Sequence, residues 1–262
     1  MALFGHNLRQ KDLLTSFKSL RGNISLKLTI CSLTVGLLAG YGALLFRLVD
    51  YTQLFFYGFD SEKVVSGAAT LPWWQVLIIP VIGGLMIGVF LRYCIPSRRP
   101  EGVADIIEAV LVNRGKMKLL PGIGTFLTSA VSLGTGGSGG REGPIAHFGA
   151  VLASQLGQRM RIPSSYYTTL IGCGVASAVA ASFNAPIAGM FFALEVVIGS
   201  FATQAVAPIV LASVIGTVVS RVHLGDFPAF IIPNYQIVSW WEIPAIAMLG
   251  IVSAIVALLF IW

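Results

Sequence analysis

Long apolar stretches fill most of the chain, and the way polar positions interrupt them predicts its elements. Residues 8–22 (LRQKDLLTSFKSLRG) set Leu13, Leu14, Phe17 and Leu20 at helical spacing among charges, the pattern of an amphipathic helix lying at a membrane surface. The apolar run from Leu28 to Tyr57 exceeds the roughly 20 residues that a spanning helix needs. It predicts a long tilted helix whose end, with Arg47 and Asp50, approaches the far surface. Residues 58–72 read as an outer loop, after which Trp73 and Trp74 anchor a second span over 74–94. Beyond Arg92, Arg98 and Arg99 the segments shorten. Residues 101–113 are amphipathic and 120–133 apolar; helical pattern then returns at 144–158, 164–181, 186–199 and 206–221. A final span runs from 241 to Trp262. Several segments are too short to cross about 30 Å of hydrocarbon alone, and Gly and Pro interrupt them, as in helices that break near the membrane midplane.

The expected fold class is therefore all-α: a polytopic membrane protein of tilted, broken and re-entrant helices. It forms a single transmembrane domain over 1–262, with 1–27 at the interface and 28–262 in the membrane. Composition supports this. The 262 residues are 56% hydrophobic and 11% charged, with mean hydropathy +0.84, whereas soluble domains carry about 25% charged residues. The 29 glycines read as close helix contacts and helix breaks. Of the 17 Lys and Arg, 13 fall before the first span, at 92–99, at 114–118 and at Arg159 and Arg161. All of these can be cytoplasmic if 101–113 enters and leaves on one side, which predicts a re-entrant segment and a cytoplasmic N-terminus. These loops account for the basic balance; a nucleic-acid partner is not expected, since no aromatic-interleaved basic module is present. Cys31, Cys94 and Cys173 lie in apolar stretches without metal-ligand or disulfide spacing, and His6, His147 and His223 are scattered. Neither a metal nor a cofactor is expected.

The most informative stretch is Gly134-Thr-Gly-Gly-Ser-Gly-Gly-Arg-Glu-Gly-Pro144. Glycines leave backbone N–H groups uncovered, and Pro144 suits the first position of a helix. Such a helix aims its free N–H donors and the positive end of its dipole back at Gly140, Arg141, Glu142 and Gly143, which attracts an anion. Glu142 is a carboxylate in a region nearly free of charge, and an ionisable group at membrane depth is functional by default. Three other readings stand beside this one: a nucleotide-phosphate loop, which lacks GxxxxGK[ST]; an ordinary helix-start carboxylate; and an Arg141–Glu142 ion pair. A second break, Ser182-Phe-Asn-Ala-Pro-Ile-Ala-Gly189, repeats the design, with Asn184 as the expected cap and Pro186 opening a helix that carries Glu195. Glu195 either faces a cytoplasmic vestibule or ends a helix near the interface.

Gly140-Arg141-Glu142-Gly143-Pro144 and, about forty residues on, Phe183-Asn-Ala-Pro-Ile-Ala-Gly189 resemble the CLC family of chloride channels and chloride/proton antiporters. The order of long, short and broken segments resembles that family's first inverted repeat. The resemblance implies transport of chloride or another small anion, a homodimer with residues 206–221 (Ala212 and Ile215 among them) at the interface, and a cell inner membrane. It implies that Glu142 is the gating glutamate and proton acceptor. It places one anion site on Gly140, Arg141, Gly143 and Pro144, another on the backbone of Gly102 and Val103, and a possible proton path at Glu195. Two departures stand out. The family's GSGIP motif corresponds to Pro100-Glu-Gly-Val-Ala104, so that Glu101 replaces the coordinating serine. Val196 stands where many antiporters carry a proton-transfer glutamate. The second repeat, with its coordinating tyrosine, has no counterpart in these residues. The apolar run continues to Trp262, which suggests the N-terminal part of a longer protein. A non-transporting scaffold fragment is the rival reading. An enzyme is not expected, because no HExxH or carboxylate–histidine catalytic pattern is present.

Overall fold

The computed structural model describes residues 25–58, 67, 71–226 and 239–261. The amphipathic stretch 8–22 and most of the loop 58–72 lie outside the described residues. Those described are helical throughout, with no strand among them. The first helix, α1, covers residues 25–45; a turn at Phe46 and Arg47 separates it from α2, Leu48–Tyr57. The long tilted helix expected over 28–57 is thus two segments joined at a corner. There follow α3 (Trp73–Cys94), α4 (Val103–Leu111), α5 (Leu119–Gly134), α6 (Glu142–Arg159), α7 (Tyr167–Phe183), α8 (Pro186–Phe192) and α9 (Thr203–Leu224). Between α8 and α9, residues Ala193–Ile198 continue in wide π turns. A second compact unit holds α10 (Glu242–Ile261). Among the described residues, five helical stretches, 25–57, α3, 164–183, α9 and 242–260, are long and apolar enough to cross a bilayer. The protein is an integral membrane protein.

The buried helix of the first unit is α7. Its composition (YTTLIGCGVASAVAASF) is nearly free of large side chains, so neighbours approach its backbone. A Cβ added at Gly149 of α6 would collide with the carbonyl oxygen of Gly174, and one at Gly174 with that of Gly149, so here α6 and α7 touch backbone to backbone. Gly216 of α9 meets Ser177 in the same way. Van der Waals contact of this closeness drives helix association in lipid, where burying apolar surface gains little. Buried hydroxyls add directional ties: Ser177 donates to the Gly36 carbonyl (2.7 Å) and Ser213 to that of Pro186 (2.5 Å). Leu170, Ile171, Val175, Ile106, Leu194 and Ile209 fill the spaces between.

Three expectations are corrected. Asn184 does not cap the helix after the break; with φ 54° and ψ 35° it closes α7 in the left-handed conformation, and Ala185 precedes Pro186 at the head of α8. Asn tolerates that conformation better than most residues. Its amide accepts from Arg221 (2.8 Å) and donates to Asp226 (3.2 Å), which fastens the break to the end of α9. Helix α6 begins at Glu142, two residues before Pro144, so the proline sits in the first turn at a position whose N–H would have no acceptor anyway. Ala212 is wholly buried, against Gly36 of α1, and cannot lie on a subunit interface. The outward positions of α9 are Leu211, Val214, Val218 and Val222.

The backbone contact of α6 with α7 yields a prediction. Gly149→Val would force the helices apart and should lower stability by about 3 kcal/mol or more, read as thermal unfolding in detergent. Gly88→Ala, at a position with open space around it, should be neutral or stabilising.

Candidate functional site

Two helix N-termini and the loops before them hold the residues singled out by their chemistry. Helix α5 ends in a paired turn: Gly137 donates to the Ser132 carbonyl (2.7 Å) and Gly136, at φ 90°, to that of Leu133 (3.2 Å). A side chain at Gly136 would be strained there, so glycine is required. Tyr57 locks this end by donating to the Thr135 carbonyl (3.0 Å). From this fixed point the exposed residues Ser138–Arg141 lead into α6.

Glu142 is the first residue of α6 and is partly buried. Its side chain turns back across the loop: a Cβ on Gly140 would come within 2.5 Å of its Oε2. The absence of a side chain at Gly140 is what leaves the carboxylate room. No ion pair or hydrogen bond reaches it among the described residues, and Arg141 is exposed with its side chain capping nothing. The Arg141–Glu142 ion pair considered from the sequence is therefore not formed. What remains is a carboxylate at the positive end of an 18-residue helix, beside the N–H donors of its first turn.

The second N-terminus, that of α4, is more heavily furnished than expected. Asp105 accepts from the Gly102 N–H (2.7 Å) and pairs with Arg99 through both guanidinium nitrogens, one of them at 3.2 Å. Glu101 donates its N–H to Thr125 (2.9 Å). Two backbone donors here thus serve the chain itself, and those of Val103 and Ala104 remain without an acceptor among the described residues. Across from them stands His147 of α6, with no exposed surface; its Nε2 lies 3.2 Å from Glu101 Oε2. His147 comes five residues after Glu142, about 7.5 Å along the helix, so one helix connects both places.

The structure therefore brings Gly140, Arg141, Glu142, Gly143 and Pro144 together at one helix head and Gly102 and Val103 at another, and α6 links them. It adds His147, which the sequence leaves among three scattered histidines; the signal available was an ionisable group inside an apolar helix. Glu195 is not brought in contact with either head. It is exposed in the wide turn, as is Val196 beside it, while Ala193, Leu194 and Val197 of the same turn are buried.

The family model for the voltage gated chloride channel matches residues 83–262, which include both helix heads and the break at Asn184. This chain belongs to that CLC family. Within it, the chain is 30% identical over 197 residues to a putative chloride channel protein, ClcB-like, of Ralstonia nicotianae, covering 74% of this chain and 46% of that protein. It is 32% identical over 200 residues to chloride channel protein CLC-f of Arabidopsis thaliana, covering 72% of this chain and 24% of the relative. The crystal structure of a CLC-type fluoride/proton antiporter matches with a TM-score of 0.67 at 26% identity, over 87% of this chain and 54% of that one. The chain thus spans about half the length of the bacterial relative and of the solved antiporter, and less of the plant one.

The geometry at α4 gives its own prediction. Asp105→Asn removes the ion pair with Arg99 and weakens the acceptor for the Gly102 N–H, and should cost about 1 kcal/mol in thermal unfolding. Arg99→Lys should cost less, because Arg99 is largely exposed and the pair is screened.

Proposed function

We propose that this chain forms the anion-bearing N-terminal part of a transporter that moves chloride or similar small anions across the membrane, gated by Glu142. One observation carries the reading: the Glu142 carboxylate lies over Gly140 at the head of α6, unpaired with any cation among the described residues. A carboxylate so placed competes for the same N–H donors that would hold a diffusible anion. Ionised, it fills the site and blocks. Protonated, it loses its claim on those donors and swings aside. Proton uptake by this carboxylate therefore opens the gate. Gly140, Arg141, Gly143 and Pro144 form this anion site; a second lies at the head of α4, where Val103 offers its N–H while that of Gly102 is taken by Asp105. The relatives' names, chloride channel and fluoride/proton antiporter, support anions as cargo.

The reading covers a channel and a chloride/proton exchanger alike. Val196 offers no carboxylate for proton transfer, and Glu195 is the remaining acidic group of the wide turn. In the full-length protein in liposomes, Glu142→Gln imitates the protonated gate and Glu142→Ala removes it. Both variants should keep anion flux, lose any uphill proton movement driven by a chloride gradient, and no longer show the wild-type pH dependence. Glu142→Ala flux with an unchanged pH profile would place the gate elsewhere.

The protein acts in a cell inner membrane with its N-terminus cytoplasmic, as a homodimer joined through the outward face of α9 at Leu211, Val214, Val218 and Val222. Val214→Trp together with Val218→Trp should shift the particle mass in light scattering from dimer to monomer while the helical circular dichroism stays intact. An unchanged mass would remove α9 from the interface.

A further inference from the structure

Burying an imidazole without hydrogen bonds is costly, and folds retain such a group where something else engages it. Neither ring nitrogen of the fully buried His147 has a hydrogen-bond partner among the described residues. What engages the ring is a charge, the Glu101 carboxylate 3.2 Å from Nε2. The Glu101 side chain keeps 21% of its surface exposed, whereas His147 has none.

The nearest charges are Arg99, which is felt by Glu101, and Asp105, which is felt by His147, and these two offset each other. Arg99 is committed to Asp105, and Asp105 also holds the Gly102 N–H. Among the elements packed on α6, α5 brings no ionisable group. Helix α7 brings Tyr167 and Cys173, α1 brings Lys27, Cys31 and Tyr41, and α4 brings Asp105 and Glu108. The wide turn packed on α4 carries Glu195, which is exposed, and α6 itself carries Glu142 at its head. Two and three residues on from Glu101, the N–H donors of Val103 and Ala104 at the start of the nine-residue α4 have no acceptor among the described residues.

We propose that Glu101 and His147 form a proton-binding pair that sets the charge, and hence the anion occupancy, at the head of α4. With the imidazole neutral and the carboxylate ionised, the pair carries one negative charge and repels an anion. One proton taken from water brings it to zero, and a second makes it positive. Each step favours an anion on the Val103 and Ala104 donors. The inference rests on the anion-transport reading but not on Glu142 being the gate.

The test is equilibrium binding, by isothermal titration calorimetry, of sodium chloride and separately sodium fluoride to the full-length protein in detergent. It is made in a Glu142→Ala background from about pH 5 to about pH 8, the range in which histidine changes charge. Affinity in that background should rise on acidification by on the order of tenfold, as expected for a unit change of charge close to the anion. Glu101→Gln should lift the alkaline-side affinity, because the pair then starts from zero charge, whereas Glu101→Asp should leave that affinity near its parent's. His147→Gln should weaken binding near neutral pH; should that variant not fold, the contrast of Gln with Asp at 101 decides alone. A Glu101→Gln profile that overlays its parent overturns the proposal. No binding at any pH overturns the transport reading and this proposal with it. Proton coupling that survives Glu142→Ala removes only the gate.

Discussion

The contact on which the rest of the first unit depends is the one where Gly149 and Gly174 bring two helix backbones together. It fixes the depth of α6 against α7, and α6 carries Glu142 at its head and His147 further along. It holds because neither residue has a side chain. Hydroxyls extend the control outward from this crossing. Ser154 donates to the Gly115 carbonyl (2.7 Å) and accepts from the Met117 N–H (2.9 Å), pinning the link between α4 and α5 onto α6. The two helix heads are thus set by one packed surface and not by the loops that surround them.

Much of this was legible in the sequence. Helix positions followed from hydropathy because lipid leaves few alternatives for an apolar run, and α3 matches its expected span to within a residue. The place of Glu142 at a helix start was legible because the glycines and Pro144 mark one there. Asn184, Ala212 and His147 were not. Asn caps either end of a helix, and only the backbone conformation at the break decides which. The inward turn of Ala212 depends on where α1 lies, and hydropathy along α9 carries no such information, since its apolar residues run all round. Nothing local in the sequence pairs His147 with Glu101, 46 positions away, because the pairing follows from the α4–α6 contact.

Carboxylates are scarce in this chain, and three of those near the two helix heads meet different fates. Asp105 is spent on structure, bound to Arg99 and to the Gly102 N–H. Glu142 is left room by a glycine and pairs with no cation among the described residues. Glu101 faces an imidazole. The same functional group is capped, free or paired according to what the neighbouring helix offers, and the chemistry available at each helix head follows from that difference.

The tie between Ser177 and the Gly36 carbonyl spans 141 residues, and it bears on how the protein is made. At a synthesis rate of roughly 5–20 residues per second, α1 enters the bilayer on the order of ten seconds before α7 exists to meet it. During that interval the notches at Gly36 and Gly40 face lipid or other helices, open to wrong partners with small residues of their own. The earliest of the described helices is seated only once α7 and α9 have arrived, so accurate assembly depends on how long α1 can wait for them.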